Sequence, residues 1–430
     1  MSTPAKSQPA KTNDSRTKLL AGASICFLKS GFAATSLDDI ATESKVVKQT
    51  IYNHFQTKET LFREAVDYLM HRLEINLDEQ WLSAEPYDFF CKVGKLNLTL
   101  LQNKRMTDLL QLAVKESKNF PELQDMYSEA IPEPMLAFVS NYLERITKAP
   151  KHQCDIFSWA FRSAITGYAT LYNTNQLTAE TYPRPSKYIF DLATIFTALI
   201  EKISSPPVSI PQARQIAETL NHESFAEETI FADTIRKLTT NQMAIIRAAL
   251  RVFAEKGYIE TTMLDVSAQA NVSKQTVYKH FKSKDVLYKT FCQAYLERLQ
   301  TKCQHFALQH NPSVEFVLRD TQCLFALSSH DWFLRLFRTL IAESYFFPVE
   351  ANRALIFLFT LGEEINNSAA FQNENGLNEN VTLQISKLIA IRSISGNFIL
   401  SKQIYKLSGN LEVNENEIFD LLIRLTAVSF

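Results

Sequence analysis

None of the six cysteines is close enough to another to form a C-x-x-C pair; they stand at Cys26, Cys91, Cys154, Cys292, Cys303 and Cys323. That scatter excludes a zinc ribbon and a small disulfide scaffold, and it reads as reduced thiols in packed or mixed positions. The eight histidines are also dispersed, with no H-E-x-x-H helix. No metal and no cofactor is therefore expected. Long apolar runs are missing too. Residues 354–359 (ALIFLF) form one of the longest, far short of the roughly 20 residues a membrane-spanning helix needs. Residues 1–15 are polar and lack the apolar centre of a leader peptide. The expectation is a soluble, cytoplasmic protein without a membrane partner. No nucleophile, base and orienting group can be assembled from spacing, so an enzyme is the remote reading and no catalytic residue is assigned. Strict apolar–polar alternation is absent as well. Apolar residues recur instead at intervals of three and four, which predicts an all-α fold.

What is present is a repeat. Residues 48–61 read KQTIYNHFQTKETL and residues 274–287 read KQTVYKHFKSKDVL, identical at eight of fourteen positions. The offset is 226, and it also pairs Phe27, Gly31 and Asp39 with Phe253, Gly257 and Asp265. Further on, Glu116-Ser117 and Phe120-Pro121 recur as Glu343-Ser344 and Phe347-Pro348, shifted by 227. The repeating length is thus about 200 residues, with one copy over 1–203 and the other over 227–430. Between them, residues 204–211 (SSPPVSIP) break any helix through their prolines. Residues 212–239 return to a looser helical pattern, suited either to a bridging helix or to an extended start of the second copy.

Each copy opens with a helix-turn-helix pattern. The first helix, from about Arg16 to Ser30, carries Leu20, Ala23 and Phe27 on one face; Ile246, Ala249 and Phe253 repeat it. Gly31 and Gly257 suit the left-handed end of that helix. Ser36 and Thr262, each followed three residues later by aspartate, predict capping boxes for a short second helix. After a turn comes the third helix, with Lys48, Gln49, Thr50, Tyr52 and His54 in one copy and Lys274, Gln275, Thr276, Tyr278 and His280 in the other. Ser273 is a good cap for it, whereas Val47 cannot cap through its side chain. Lys58 and Lys284 fall in the first turn of a fourth helix. A cation there opposes the helix dipole, a conflict that a bound phosphate would resolve. The chain is nearly neutral, at −1, but residues 1–62 hold eight Lys or Arg against five Asp or Glu, and residues 235–292 hold ten against four. A nucleic-acid binder needs that local surplus, not a basic chain.

With Gly31-Phe32, Thr35-Ser36, Ile40-Ala41, Thr50, Tyr52, His54, Phe55 and Lys58, and again Gly257-Tyr258, Thr261-Thr262, Val266-Ser267, Thr276, Tyr278, His280, Phe281 and Lys284, the chain resembles the TetR family of bacterial transcriptional regulators. The resemblance implies two three-helix heads, each followed by a helical ligand-binding and dimerisation domain. It implies that tyrosine and lysine touch the DNA backbone, and it makes a double-stranded operator and a small apolar or amphipathic effector the expected partners. The expected DNA-binding residues are Thr35, Ser36, Lys48, Gln49, Thr50, Tyr52, His54 and Lys58, with Thr261, Thr262, Lys274, Gln275, Thr276, Tyr278, His280 and Lys284. Two departures stand out. The family motif commonly has glycine where Gln49 and Gln275 sit, and an amide there is able to pair with adenine. Lys45 fills a turn position where Asn or Gly is usual; Asn271 is the regular version.

The resulting division is a tail over 1–15, heads over 16–62 and 235–288, regulatory domains over 63–203 and 289–430, and a linker with a helix over 204–234. Effector pockets are expected around residues 100–141 and 320–361, with Arg338 as the polar ligand-binding candidate. The helices over 156–172 and 186–203 are expected to pack on those over 383–402 and 415–430, making an intramolecular pseudo-dimer; a homodimer with four heads is the alternative. A ligand-responsive repressor that binds an imperfect palindrome is the leading reading. Its rival is a module whose heads have degenerated, leaving small-molecule or protein binding.

Overall fold

The computed structural model describes residues 10–72, 75–116, 119–173, 183–203, 238–308, 315–344, 346–360, 379–400 and 415–426, and these are helical with no strand among them. The expected linker over 204–234 lies outside the described residues. The first copy begins with α1 (Ala10–Ala34), α2 (Leu37–Ser44), α3 (Lys48–His54) and α4 (Lys58–His71). It continues with α5 (Pro86–Leu101), α6 (Lys104–Glu116), α7 (Glu122–Ala130), α8 (Pro132–Thr147), α9 (Lys151–Asn173) and α10 (Pro185–Ile200). The second opens with α11 (Thr240–Glu260), α12 (Met263–Gln269), α13 (Lys274–His280) and α14 (Lys284–Leu308). It closes with α15 (Glu315–Ser328), α16 (Asp331–Ala342), α17 (Pro348–Thr360), α18 (Glu379–Phe398) and α19 (Glu415–Thr426). Helix α1 already starts at Ala10, within the stretch expected to be a tail.

Packing divides the chain into two compact units. One comprises Met1–Asn76 with Thr107–Glu133; the other comprises Leu77–Met106 with Pro134–Phe430. In the first unit, Leu19, Ala23 and Phe27 of α1 are fully buried, as are Ile40, Leu61, Phe62 and Ala65 of the helices packed with it. The second unit holds an aromatic core in which Phe90 meets Phe161 at 4.8 Å and Phe157 meets Phe196 edge-on at 5.1 Å. Tyr168 and Tyr188 stack at 3.9 Å, and their hydroxyls donate to the carbonyls of Pro183 and Ala164. Each ring thus gains apolar contact while its polar end stays bonded.

Within this second unit, α9 and α18 pack along each other. Gly167 lies so close to Ser393 that an added Cβ would sit 2.3 Å from its side chain. At the repeat offset of 226, Ser393 is the equivalent of Gly167. In a two-fold pairing of like units, a residue that touches its own equivalent lies at the axis. Away from that point the contacts are unequal, and some are polar. Ser386 donates to Asp191 at 2.7 Å, and Asn397 donates to Ser163 at 2.7 Å. Trp159 meets Phe398 edge-on at 6.1 Å. Helix α19 joins through Arg424, which donates to the Lys202 carbonyl at 2.5 Å.

A side chain at position 167 has nowhere to go without parting the helices. Gly167→Val is expected to cost about 1–3 kcal/mol through overpacking, read as a lower urea midpoint at unchanged slope. A midpoint equal to wild type would contradict the close approach of α9 and α18.

Candidate nucleic-acid interface

Local chemistry builds the same three-helix head twice. Ser36 Oγ accepts from the Asp39 N–H at 3.1 Å and Asp39 returns the bond to the Ser36 N–H at 2.9 Å. Thr262 and Asp265 repeat the exchange at 3.2 and 2.8 Å. Lys256 adds an ion pair to Asp265 at 2.6 Å, and together these bonds hold that carboxyl well below the usual carboxylate range. The turn before the third helix is left-handed in both heads, with φ of 55° at Lys45 and 54° at Asn271. Asparagine tolerates that conformation; lysine carries roughly 1–2 kcal/mol of steric cost. Ser273 Oγ then caps α13 by accepting from the Thr276 N–H at 3.0 Å. Val47 offers α3 no side-chain bond.

The third helices present one face outward. Ile51 and Val277 are buried and anchor them. Lys48, Gln49, Lys274 and Gln275 are exposed, with Thr50, His54, Thr276 and His280 at the margin. Tyr52 and Tyr278 remain 51% and 45% exposed, a large ring area in water for residues that pack readily. Ser36 and Thr262 are exposed beside this face, although their hydroxyls serve the capping boxes. Thr35 and Thr261 are different. Their side chains are buried, and both hydroxyls donate to glycine carbonyls, Gly31 and Gly257, at 2.7 Å.

Lys284 has partners inside the head. Its ammonium donates to the carbonyls of Tyr258, Ile259 and Thr261 at 2.7, 3.1 and 2.9 Å, and lies 4.4 Å from the centre of the Tyr258 ring. Lys58 sits likewise 4.5 Å over Phe32. Partial burial lowers the pKa of both amines. For Lys284 the conflict with the helix dipole is eased inside the protein, because the flexible stem folds back onto carbonyls at the end of α11.

The two heads differ at one telling place. Lys48 is paired with Asp38 Oδ2 at 2.9 Å, a bond that raises the lysine pKa. The equivalent of Asp38 in the second head is Leu264, 60% exposed. Lys274 faces no carboxylate from that position and lies 5.8 Å from the Tyr278 ring centre. Sequence reasoning passed over Asp38 and Leu264, since neither belongs to the repeated motif; only the fold brings position 38 beside position 48.

It also left Glu116 and Glu343 without a role. Both are buried, at 3% exposure. Glu116 Oε1 accepts from the Phe32 N–H at 2.8 Å, and Glu343 Oε1 from the Tyr258 N–H at 2.7 Å. The donors directly follow Gly31 and Gly257, whose φ of 77° and 75° kink the first helix of each head. Phe120 packs on Phe32 at 4.9 Å and Phe62 at 4.6 Å; Phe347 packs on Tyr258 at 4.7 Å and Tyr288 at 4.1 Å. Glu116 with Phe120, and Glu343 with Phe347, are therefore the grip of the regulatory helices on the heads.

Comparison with known proteins agrees with this geometry. The model for bacterial regulatory proteins of the tetR family matches residues 19–65 and again 245–290. The chain is a TetR-family protein with two N-terminal units. A second model, the C-terminal domain of AefR-like transcriptional repressors, matches residues 90–163, from α5 into α9. Among curated proteins, an uncharacterized HTH-type transcriptional regulator of Bacillus subtilis (strain 168), YerO, is 34% identical over 61 residues. The match covers 14% of this chain and 21% of that protein, so the chain spans about a fifth of that relative's length. Among the described residues of this TetR-family chain, no group of His, Cys, Asp or Glu is placed to hold a metal, and no helix is long and apolar enough to cross a membrane.

Lys284 in the second TetR-type head provides a test. Lys284→Met removes three bonds to carbonyls and is expected to destabilise that head by about 1–3 kcal/mol. The slope of log affinity for duplex DNA against log salt should stay as in wild type. A slope reduced by about one, without loss of stability, would return this amine to a phosphate.

Proposed function

We propose that this chain is a ligand-responsive, non-enzymatic repressor acting in the cytoplasm, which binds an imperfect palindromic operator with two heads carried on one chain. The division is that read from the repeat: heads over 16–62 and 235–288, each followed by its helical regulatory domain. In this reading Gln49 and Gln275 reach base edges, where an amide pairs with adenine. Lys48, Lys274, Tyr52 and Tyr278 engage phosphates beside them, with Ser36, Thr262, Thr50, Thr276, His54 and His280 at the rim. Thr35, Thr261 and Lys284 belong to the interface through bonds to the head backbone, and Lys58 through its place over the Phe32 ring.

The observation that carries the reading is the contact of Gly167 with its own equivalent, Ser393. Regulators of this architecture place two heads on DNA through a two-fold interface of their last helices. Here α9 and α10 meet α18 and α19 of the same chain. A linker of some 30 residues raises the effective concentration of one copy beside the other. Mass measurement in dilute solution with a short duplex, joined to footprinting, tests it. One chain per duplex, protecting two adjacent major-groove faces, is expected. A stable two-chain particle with four occupied heads would overturn the one-chain arrangement.

A second reading keeps one head weak. Asp38 neutralises Lys48, and α3 lacks a side-chain cap. The second head then supplies most of the affinity and the first tunes it. Asp38→Leu, which copies the second head, is expected to raise the affinity of the first by about two- to fivefold, the worth of one exposed ion pair. The measurement uses full-length protein with the second head disabled by Lys274→Ala and Tyr278→Ala. Unchanged or weaker binding would remove Asp38 as the source of the difference.

A further inference from the structure

A cavity of about 370 Å3 opens where the end of α10 and the start of α9 meet α19. Pockets of this size accept drug-like molecules. Its walls are apolar, built from Ile156, Phe157, Leu199, Ile203 and Leu421. Polar groups at its margin already have partners, two of them across the copies. His152 Nε2 meets Glu417 at 2.5 Å, and Arg424 bonds both Asp420 and the Lys202 carbonyl. Gln153 is the exception. It lines the cavity, and its Oε1 is buried with no hydrogen-bond partner among the described residues. A buried acceptor without a donor costs about 1–3 kcal/mol, and an occupant that donates to it recovers that loss. Arg338 of α16, expected to bind the effector, does not line this cavity. Burial lowers its pKa.

We propose that this cavity is an effector site for a small, uncharged amphipathic molecule whose apolar body fills the space and whose single N–H or O–H donates to Gln153. The proposal rests on the ligand-responsive reading above for its consequence, but not for its existence. An occupant touches α9 and α10 on one side and α19 on the other, so it bears on the spacing of the two copies. It also binds once per chain. Where the first copy has His152, Gln153 and Ile156, the second has Asn378, Glu379 and Thr382; where the second has Glu417, Asp420 and Arg424, the first has Asp191, Thr194 and Ala198. The two-fold mate of the site therefore lacks its chemistry.

The test uses N-phenyl-1-naphthylamine, an uncharged, largely apolar fluorophore with one N–H donor, which brightens in apolar surroundings. Its N-methyl derivative lacks the donor. Titrated into the full chain, the parent is expected to saturate at one per chain and to bind about tenfold more tightly than the derivative, the worth of one hydrogen bond to a buried acceptor. Gln153→Leu should erase that tenfold preference. Ile156→Trp should fill the cavity and abolish binding while duplex affinity without the fluorophore stays at wild-type level. The preference for the donor is read on wild type and Gln153→Leu alone, so a misfolded Ile156→Trp does not blunt the test. No saturable binding to wild type, or binding unaltered by either substitution, overturns the site. Binding that follows these expectations but leaves duplex affinity unchanged keeps the site and removes the ligand-responsive reading instead.

Discussion

The head geometry depends on one buried carboxylate in each copy. Gly31 and Gly257 turn the first helix out of its path at positive φ. The next backbone N–H then points away from the helix and has no carbonyl of its own turn to meet. In a packed setting that donor needs an acceptor, and Glu116 or Glu343 supplies it. A carboxylate so deeply placed needs positive charge nearby. Lys58 and Lys284 provide it from the start of the fourth helix, and each amine feels the acid beside it. Kinked helix, fourth helix and the end of a regulatory helix are thus tied by a few charged atoms. A shift of that regulatory helix by an ångström either carries the head with it or breaks a charge-assisted bond. Such a joint is what a change in head spacing requires if an effector is to alter DNA affinity.

This joint was half-visible in the sequence. The recurrence of Glu-Ser and Phe-Pro marked it, but Glu116 acts on Phe32, 84 residues earlier. Nothing in local pattern encodes that separation. The caps and turns were legible because they close within a few residues: Ser36 with Asp39, Ser273 with Thr276, and the left-handed Asn271. Lysine was the least legible type. Its long stem allowed Lys284 to reach carbonyls 23 to 26 residues away, where position alone pointed to a phosphate. The missing cap at Val47 and the awkward Lys45 were readable and set the first head apart, yet the ion pair of Lys48 with Asp38 emerged only from the fold. The cavity was beyond reach for a different reason. Its walls come from helices more than 200 residues apart, and each wall residue taken singly reads as ordinary core.

Inequality is what fusing two copies makes possible at the interface of α9 with α18. The contact at Gly167 and Ser393 joins equivalent positions, whereas the side-chain bonds described beside it do not. Asp191 accepts from Ser386, but the mirror positions are Glu417 and Ala160, and Glu417 bonds His152 instead. Asn397 donates to Ser163, but the mirror positions are Leu171 and Ile389, both buried and apolar. Consider two first copies paired with each other. Ala160 would replace Ser386, and the buried Asp191 would lose its hydroxyl donor on both sides. Two second copies would set Asn397 against Ile389, again twice. A buried group left without a partner costs about 1–3 kcal/mol, although Asp191 would keep its ion pair with Lys187; under the one-chain arrangement proposed above, such losses disfavour pairing of like copies. Discrimination of this kind comes from penalties on the wrong partner as much as from contacts with the right one. Two identical chains cannot acquire it, because a substitution on one side appears on the other. A tandem chain can change each side separately, and the one-sided polar bonds around Gly167 are the form that freedom has taken here.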